Sequence, residues 1–282
     1  MRRVRILMLA VAVLVPVQAV LAQESDERLR WVDGQAGKLR VSDGGSGGTP
    51  VLFVHSLAGN RRQWSNQLAH LRRNRRAVAF DLKGHGESDK PSGADYSLEG
   101  VAADIEAVAN QLGLDRFVLV GHSFGGGAIA TYAGAHPERV VGLFFVDPIG
   151  DQRSARMQVD MLVQMLQSPA YQSAAMMYYE AILVNATPDV RGQVLADLGQ
   201  TSQEALVKAF ASIVEFDPAA TLRPYSGPMF NVISDLNEFP TSLHNIIPNL
   251  PTERITGTSH WLHMDRPEEF NSHLDGFLAG KH

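Results

Sequence analysis

Phe117-Val118-Leu119-Val120-Gly121-His122-Ser123-Phe124-Gly125-Gly126-Gly127-Ala128-Ile129-Ala130 is the stretch on which the reading of the chain turns. An apolar run reads as a buried strand, a tight turn follows, and small residues then open a helix. The turn holds Gly121-His122-Ser123-Phe124-Gly125, a G-x-S-x-G motif in the strand–turn–helix context its chemistry needs. Glycine is required on both sides because the turn is strained and the backbones approach closely. The geometry predicts a Ser123 hydroxyl lifted to the top of a sheet. It also sets the Phe124 amide at a helix N-terminus, where it can donate to a developing oxyanion. Outside this context, G-x-S-x-G is a common small-residue turn; within it, Ser123 reads as a nucleophile.

Working outward, strand-like runs at residues 38–41, 51–55, 77–81, 117–121, 140–146, 229–234 and 253–256 alternate with helical patterns. The helical ones lie at 98–112, from 123 onward, and at 266–278. This predicts an α/β fold with a mainly parallel sheet. Asp43-Gly44-Gly45-Ser46-Gly47-Gly48 reads as a turn too rich in glycine to hold a strand. Residues 150–225 break the alternation with helical segments only, at 157–167, 170–184, 190–198 and 203–216, punctuated by Pro169, Pro188 and Pro218. They can be an ordinary helical core, since methionine fills irregular gaps. The preferred reading is a lid inserted between two strands, with Met161, Met165, Met176, Met177 and Tyr178 lining an apolar substrate pocket that Trp261 joins. On that reading residues 23–149 and 226–282 form the core domain and 150–225 the helical cap insertion.

The chain has 282 residues, 45% of them hydrophobic and 20% charged, which suits a folded domain with a full core and excludes disorder. It has no cysteine, which excludes a disulfide scaffold, thiol catalysis and cysteine metal sites. A formal net charge of −5 argues against a dedicated nucleic-acid partner. Residues 1–22 carry Arg2, Arg3 and Arg5, then an apolar run, then Val20-Leu21-Ala22 before an acidic switch. That is the layout of a secretory signal peptide cut after Ala22, and it predicts export to the periplasm or the extracellular space. The rival reading is an uncleaved membrane anchor.

Other motifs fall on strand ends. His55-Ser56-Leu57-Ala58-Gly59-Asn60 follows a buried strand, and its tip can supply a second oxyanion amide, that of Leu57, with His55 holding the loop. Asp81-Leu82-Lys83-Gly84-His85-Gly86-Glu87-Ser88 reads as a hydrogen-bonded corner and not as a catalytic pair. Near the C-terminus, Ser259-His260-Trp261-Leu262-His263 offers two histidines. His260 lies on the Gly/Ser turn just past the last strand and is the better general base. His263 runs on into a helix.

Taken together, the loop at His55, Asp-x-x-Gly-His-Gly-x-Ser at Asp81, the elbow at Ser123 and Ser-His-Trp near the end resemble the α/β-hydrolase superfamily in order and spacing. The resemblance spans nearly the whole chain after residue 22. It implies an eight-stranded, mostly parallel sheet with flanking helices and a cap after the sixth strand. It also implies a serine hydrolase cleaving an ester of small to medium size, with no metal or organic cofactor and a small-molecule substrate as partner. A lactonase, amidase, carbon–carbon hydrolase or acyltransferase on the same triad, or a binding protein with a weakened site, are the alternatives. Ser56 stands where the family usually has glycine. The family's acid turn after the seventh strand, Gly-x-x-Asp, here reads Ser234-Asp235-Leu236-Asn237. The triad acid is therefore expected at Asp147, after the sixth strand, with Asp235 as runner-up.

Overall fold

The computed structural model describes residues 27–281, so the segment read as a signal peptide lies outside the described residues. One sheet runs in the order β1-β2-β4-β3-β5-β6-β7-β8. Its strands are β1 (Arg28–Asp33), β2 (Lys38–Gly44), β3 (Val51–Val54), β4 (Ala77–Phe80), β5 (Phe117–His122), β6 (Val140–Val146), β7 (Met229–Ile233) and β8 (Thr252–Arg254). The β1–β2 and β2–β4 pairs are antiparallel and every other pair is parallel. Strands β3, β4 and β5 are buried at every position, and β6 nearly so, because helices cover both faces; that is why they read as largely apolar runs.

Alternate residues of each strand serve the two layers. Val51, Phe53, Val118, Val120 and Phe144 pack with Leu68 and Leu71 of α1 (Ser65–Leu71) and with the last helix. Leu52, Val54, Leu119, Leu143 and Phe145 pack with α2 (Leu98–Gln111) and α3 (Phe124–Ala135). Between β6 and β7 the chain forms α4 (Arg156–Gln167), α5 (Tyr171–Ile182), α6 (Pro188–Gly199), α7 (Gln203–Ser212) and α8 (Pro218–Leu222). Their starts are written in the sequence: Thr187, Ser202 and Asp217 each accept a backbone N–H of the first turn, and Pro188 and Pro218 sit where a missing N–H costs nothing. Short helices α9 (Leu243–Ile246) and α10 (Leu262–Asp265) precede α11 (Pro267–Leu278).

Two strands differ from expectation. Strand β1 was not anticipated, since Val32 is its one buried residue and Leu29 and Trp31 lie about half exposed on an antiparallel edge. Strand β2 continues to Gly44 because Asp43 and Gly44 pair with Val78 and Ala77, and the turn begins only at Gly45, at φ +72°.

Candidate active site

Ser123 lies between the end of β5 and the first residue of α3, at φ 55° and ψ −116°. This is a costly backbone for a residue with a Cβ, and it persists because neighbours over-determine it. Its N–H donates to the Val146 carbonyl at 2.9 Å, and its carbonyl accepts from Gly126 at 2.9 Å and Ile149 at 3.2 Å. A Cβ on Gly121 would meet the Gly125 carbonyl oxygen at 2.5 Å, and one on Gly125 would meet that of Val54 at 2.5 Å. Both obstacles are backbone, so neither can move aside. The elbow needs its glycines.

Asp147 follows directly on β6 and is itself at φ 43°. Strand β7 is its neighbour, so the residue after that strand's end, Ser234, reaches Asp147. The Ser234 N–H donates to Asp147 Oδ1 and the Ser234 hydroxyl to Oδ2, both at 2.8 Å. His260 Nδ1 donates to the same Oδ2 at 2.6 Å. The carboxylate is buried, and these three charge-assisted bonds replace the water it has lost. Asp235 is elsewhere: it accepts from the Gly257 N–H, faces Arg254 and is exposed. The carboxylate on His260 is that of Asp147.

The His260 loop is anchored on every side. Its N–H donates to the Ile182 carbonyl at the end of α5, and its own carbonyl accepts from His122 Nε2 at 2.9 Å. Asp265 accepts from Ser259 and from the Thr187 N–H, so a second bond runs to the insert. With Nδ1 engaged as a donor, Nε2 is the ring atom free to accept a proton. The His122 ring centre lies 4.6 Å from that of His260. Burial pushes His122 well below the ordinary histidine range, and the neighbouring His260 and His263 push it the same way. His263, buried against Trp64 with ring centres 4.3 Å apart, is lowered to about 3.

Ser123 and His260 line one cavity of about 30 Å³ with Leu57, Phe124, Ile149, Tyr178, Tyr179, Ile182, Phe210, Ile213 and Trp261. Leu57 belongs to the turn after β3, where Ala58 takes φ 54°. His55 fixes this turn. Its Nε2 accepts from the Leu82 N–H, so the proton is on Nδ1 and is donated to the Ser56 carbonyl. Burial holds His55 at about 4 and His85 at about 3, so both rings are neutral. Asp81 accepts from the Arg61 N–H and guanidinium and from the Glu87 N–H, a corner whose residues do not line the cavity. Among the described residues, no group of three or more His, Asp or Glu side chains could hold a metal ion.

Residues 49–240 match the family described as the alpha/beta hydrolase fold. This chain belongs to the α/β-hydrolase family. It is 26% identical over 264 residues to the sn-1-specific diacylglycerol lipase ABHD11 of Mus musculus, covering 81% of this chain and 80% of that one. An uncharacterized protein of Mycobacterium tuberculosis is 30% identical over 176 residues, which are 62% of this chain and only 49% of that protein. In structure, the chain resembles an esterase from Exiguobacterium antarcticum, with a TM-score of 0.79 at 21% identity, over 88% of this chain and 98% of the other.

In this α/β hydrolase the expected methionine lining needs correction. Tyr178 and Trp261 do line the cavity, but Met161, Met165, Met176 and Met177 are exposed and do not. On α4 the inward stripe is Val159, Leu162, Val163 and Leu166, which leaves Met157, Met161 and Met165 on the outer stripe. On α5, Ala174, Ala175, Tyr178 and Tyr179 face inward, and Met176 and Met177 are left outside. The missed wall residues include Ile149, Tyr179, Ile182, Phe210 and Ile213, and those on α5 carry a usable signal, since Tyr178, Tyr179 and Ile182 recur at helical spacing. Ser234 was noticed only as a replaced glycine. Its position one residue past a strand adjacent to Asp147 is what makes it a donor.

Proposed function

We propose that the chain is an exported serine hydrolase that cleaves a small, largely apolar ester through an acyl-enzyme. The observation that carries the reading is the 2.6 Å bond from His260 Nδ1 to Asp147 Oδ2, in a cavity shared with a serine held on a strained elbow. In the first step His260 Nε2 takes the Ser123 proton as the serine oxygen attacks the ester carbonyl. Asp147, held by Ser234, keeps the ring in the right tautomer and offsets the charge it gains. The Phe124 N–H at the start of α3 and the Leu57 N–H face the oxyanion. His260 then returns the proton to the leaving alcohol. Water repeats the sequence on the acyl-enzyme and releases the acid.

Substrate size follows from the cavity. A cavity needs about 10–15 Å³ to hold one water, so about 30 Å³ favours a small acyl group. Apart from Ser56, the catalytic pair and two phenols, the lining is apolar and carries no Lys, Arg, Asp or Glu, which favours a neutral substrate. The mouse relative's name, a diacylglycerol lipase, supports an ester as the bond cleaved. Export rests on residues 1–22 and predicts a processed chain beginning at Gln23, which N-terminal sequencing of secreted protein reads directly.

The test is Ser123→Ala. Turnover of short-chain aryl esters should fall about 10³-fold or more, and the stoichiometric fluorophosphonate adduct seen by intact mass should vanish, with the melting temperature unchanged. Retained turnover in a clean preparation would sink the assignment.

A further inference from the structure

From Trp261 of the cavity wall, a chain of buried polar side chains joins the helical insert to both halves of the site. Trp261, adjacent to His260, donates from Nε1 to Gln63 Oε1 at 3.2 Å. Gln63 Nε2 donates to Asp197 Oδ2 at 2.9 Å, and Asn60 Nδ2 donates to Asp197 Oδ1 at 2.6 Å. Asp197 is on α6, whereas Asn60 closes the turn that carries Leu57. Trp261, Asn60, Gln63 and Asp197 are all buried. Gln63 is wedged as well as bonded, since a Cβ on Gly59 would meet its Oε1 at 2.6 Å.

The direction of every bond is forced. Indole can only donate, so Gln63 must turn its oxygen toward Trp261 and its NH₂ toward Asp197. The Asn60 oxygen accepts from the Arg62 N–H at 2.9 Å, which turns its NH₂ toward Asp197 too. Both Asp197 oxygens therefore face donors, and the ionised carboxylate, an acceptor at both oxygens with no proton of its own to place, satisfies them best. We propose that Asp197 is a positioning residue for the reaction: in its carboxylate form it aligns the Leu57 turn and the His260–Trp261 loop against the insert. This role rests on the serine mechanism proposed above.

Burial, opposed by the bonds from Gln63 and Asn60, raises the Asp197 carboxyl to about 6. The charged groups facing it are Arg62, which favours ionisation, and Asp81, which resists it. A polar groove lined by Arg62, Gln63, Ser65, Gln193 and Asp197 lies alongside. Because the folded value is raised from 3.8 to about 6, protonation of Asp197 contributes stability that is full below the ordinary value and is lost as pH rises to about 6. Acid thus stabilises the folded chain at this site while it removes the charge that strengthens the Asn60 and Gln63 bonds, which loosens the alignment.

The experiment measures kcat/KM and the rate of fluorophosphonate labelling from pH 4.5 to 8 for wild type, Asp197→Asn, Gln63→Leu and the double variant. Wild type should lose activity on the acid side by about tenfold more than one titrating base allows, centred near pH 6. Asp197→Asn should be about tenfold slower at pH 7.5 and follow a one-proton curve. The double variant should be no slower than the worse single one, as expected of residues in one network. Relative to Asp197→Asn, wild type should gain melting temperature as pH falls through 6 while it loses rate. A one-proton acid limb in wild type overturns the proposal even if Asp197→Asn does not fold, and so does an Asp197→Asn enzyme with wild-type rate and profile. Absence of labelling in wild type would instead overturn the serine mechanism.

Discussion

At the strand ends, Ser123, Ala58 and Asp147 stand at φ 55°, 54° and 43°, while Tyr178, Tyr179 and Phe210 reach, from unstrained helices, the cavity that Ser123 lines. The first set is held in conformations costing about 1–3 kcal/mol each, so it depends on a rigid sheet and on glycines that cannot be replaced. The second set depends only on which stripe of a helix is apolar enough to turn inward. Chemistry is expected to belong to the strand ends and shape to the insert, so substitutions in the two regions should fail differently.

The largest test of that division is Asp147→Asn against Asp235→Asn. The first should lower kcat by about 10²–10⁴-fold, because His260 loses its countercharge and tautomer control; the second should stay within about twofold of wild type. Parity between them would put the acid elsewhere. A smaller loss is expected from Ser234→Ala, which keeps the backbone N–H donor to Asp147 but deletes the hydroxyl donor. One charge-assisted bond is worth about 1.5–3 kcal/mol, and since the aspartate keeps two others, about a tenfold fall in kcat with KM unchanged is anticipated. A change in KM alone would mean that Ser234 shapes the pocket. Smallest of all, Met161→Gln, Met165→Gln and Met177→Gln should each leave melting temperature and acyl-chain preference unmoved, as exposed positions change stability by within about 0.5 kcal/mol. A shift in chain preference would return these methionines to the substrate's path.

The same division explains what could be read from the chain before its structure. Gly121 and Gly125, the apolar runs of β3 to β6 and the Ser-His-Trp turn are legible because backbone crowding and double-sided burial leave narrow choices of residue type. Asp147 was reachable because Asn237 stands where a carboxylate would otherwise be; in the structure that amide donates to the Pro148 carbonyl beside the aspartate instead. The insert was legible as helices, since its caps are local. Its facing was not, because methionine is apolar enough for either side of α4 and α5, and only the packed partners decide. Strand β1 was illegible for a similar reason: one buried valine leaves no alternation to see. Asp197 gave no warning either, as its partners lie 134 and 137 residues away.

The buried histidines around the site have a consequence for where protons can go. His55, His85, His122 and His263 are all held too acidic by burial to carry a charge at neutral pH. Although the His122 ring centre lies 4.6 Å from that of His260, its Nε2 already donates to the His260 carbonyl and burial keeps the ring neutral, so it takes no part in accepting the serine proton. Around His260 these four rings thus offer no second base. On the proposed mechanism, then, the proton leaving Ser123 finds its acceptor in His260 and not in these four rings.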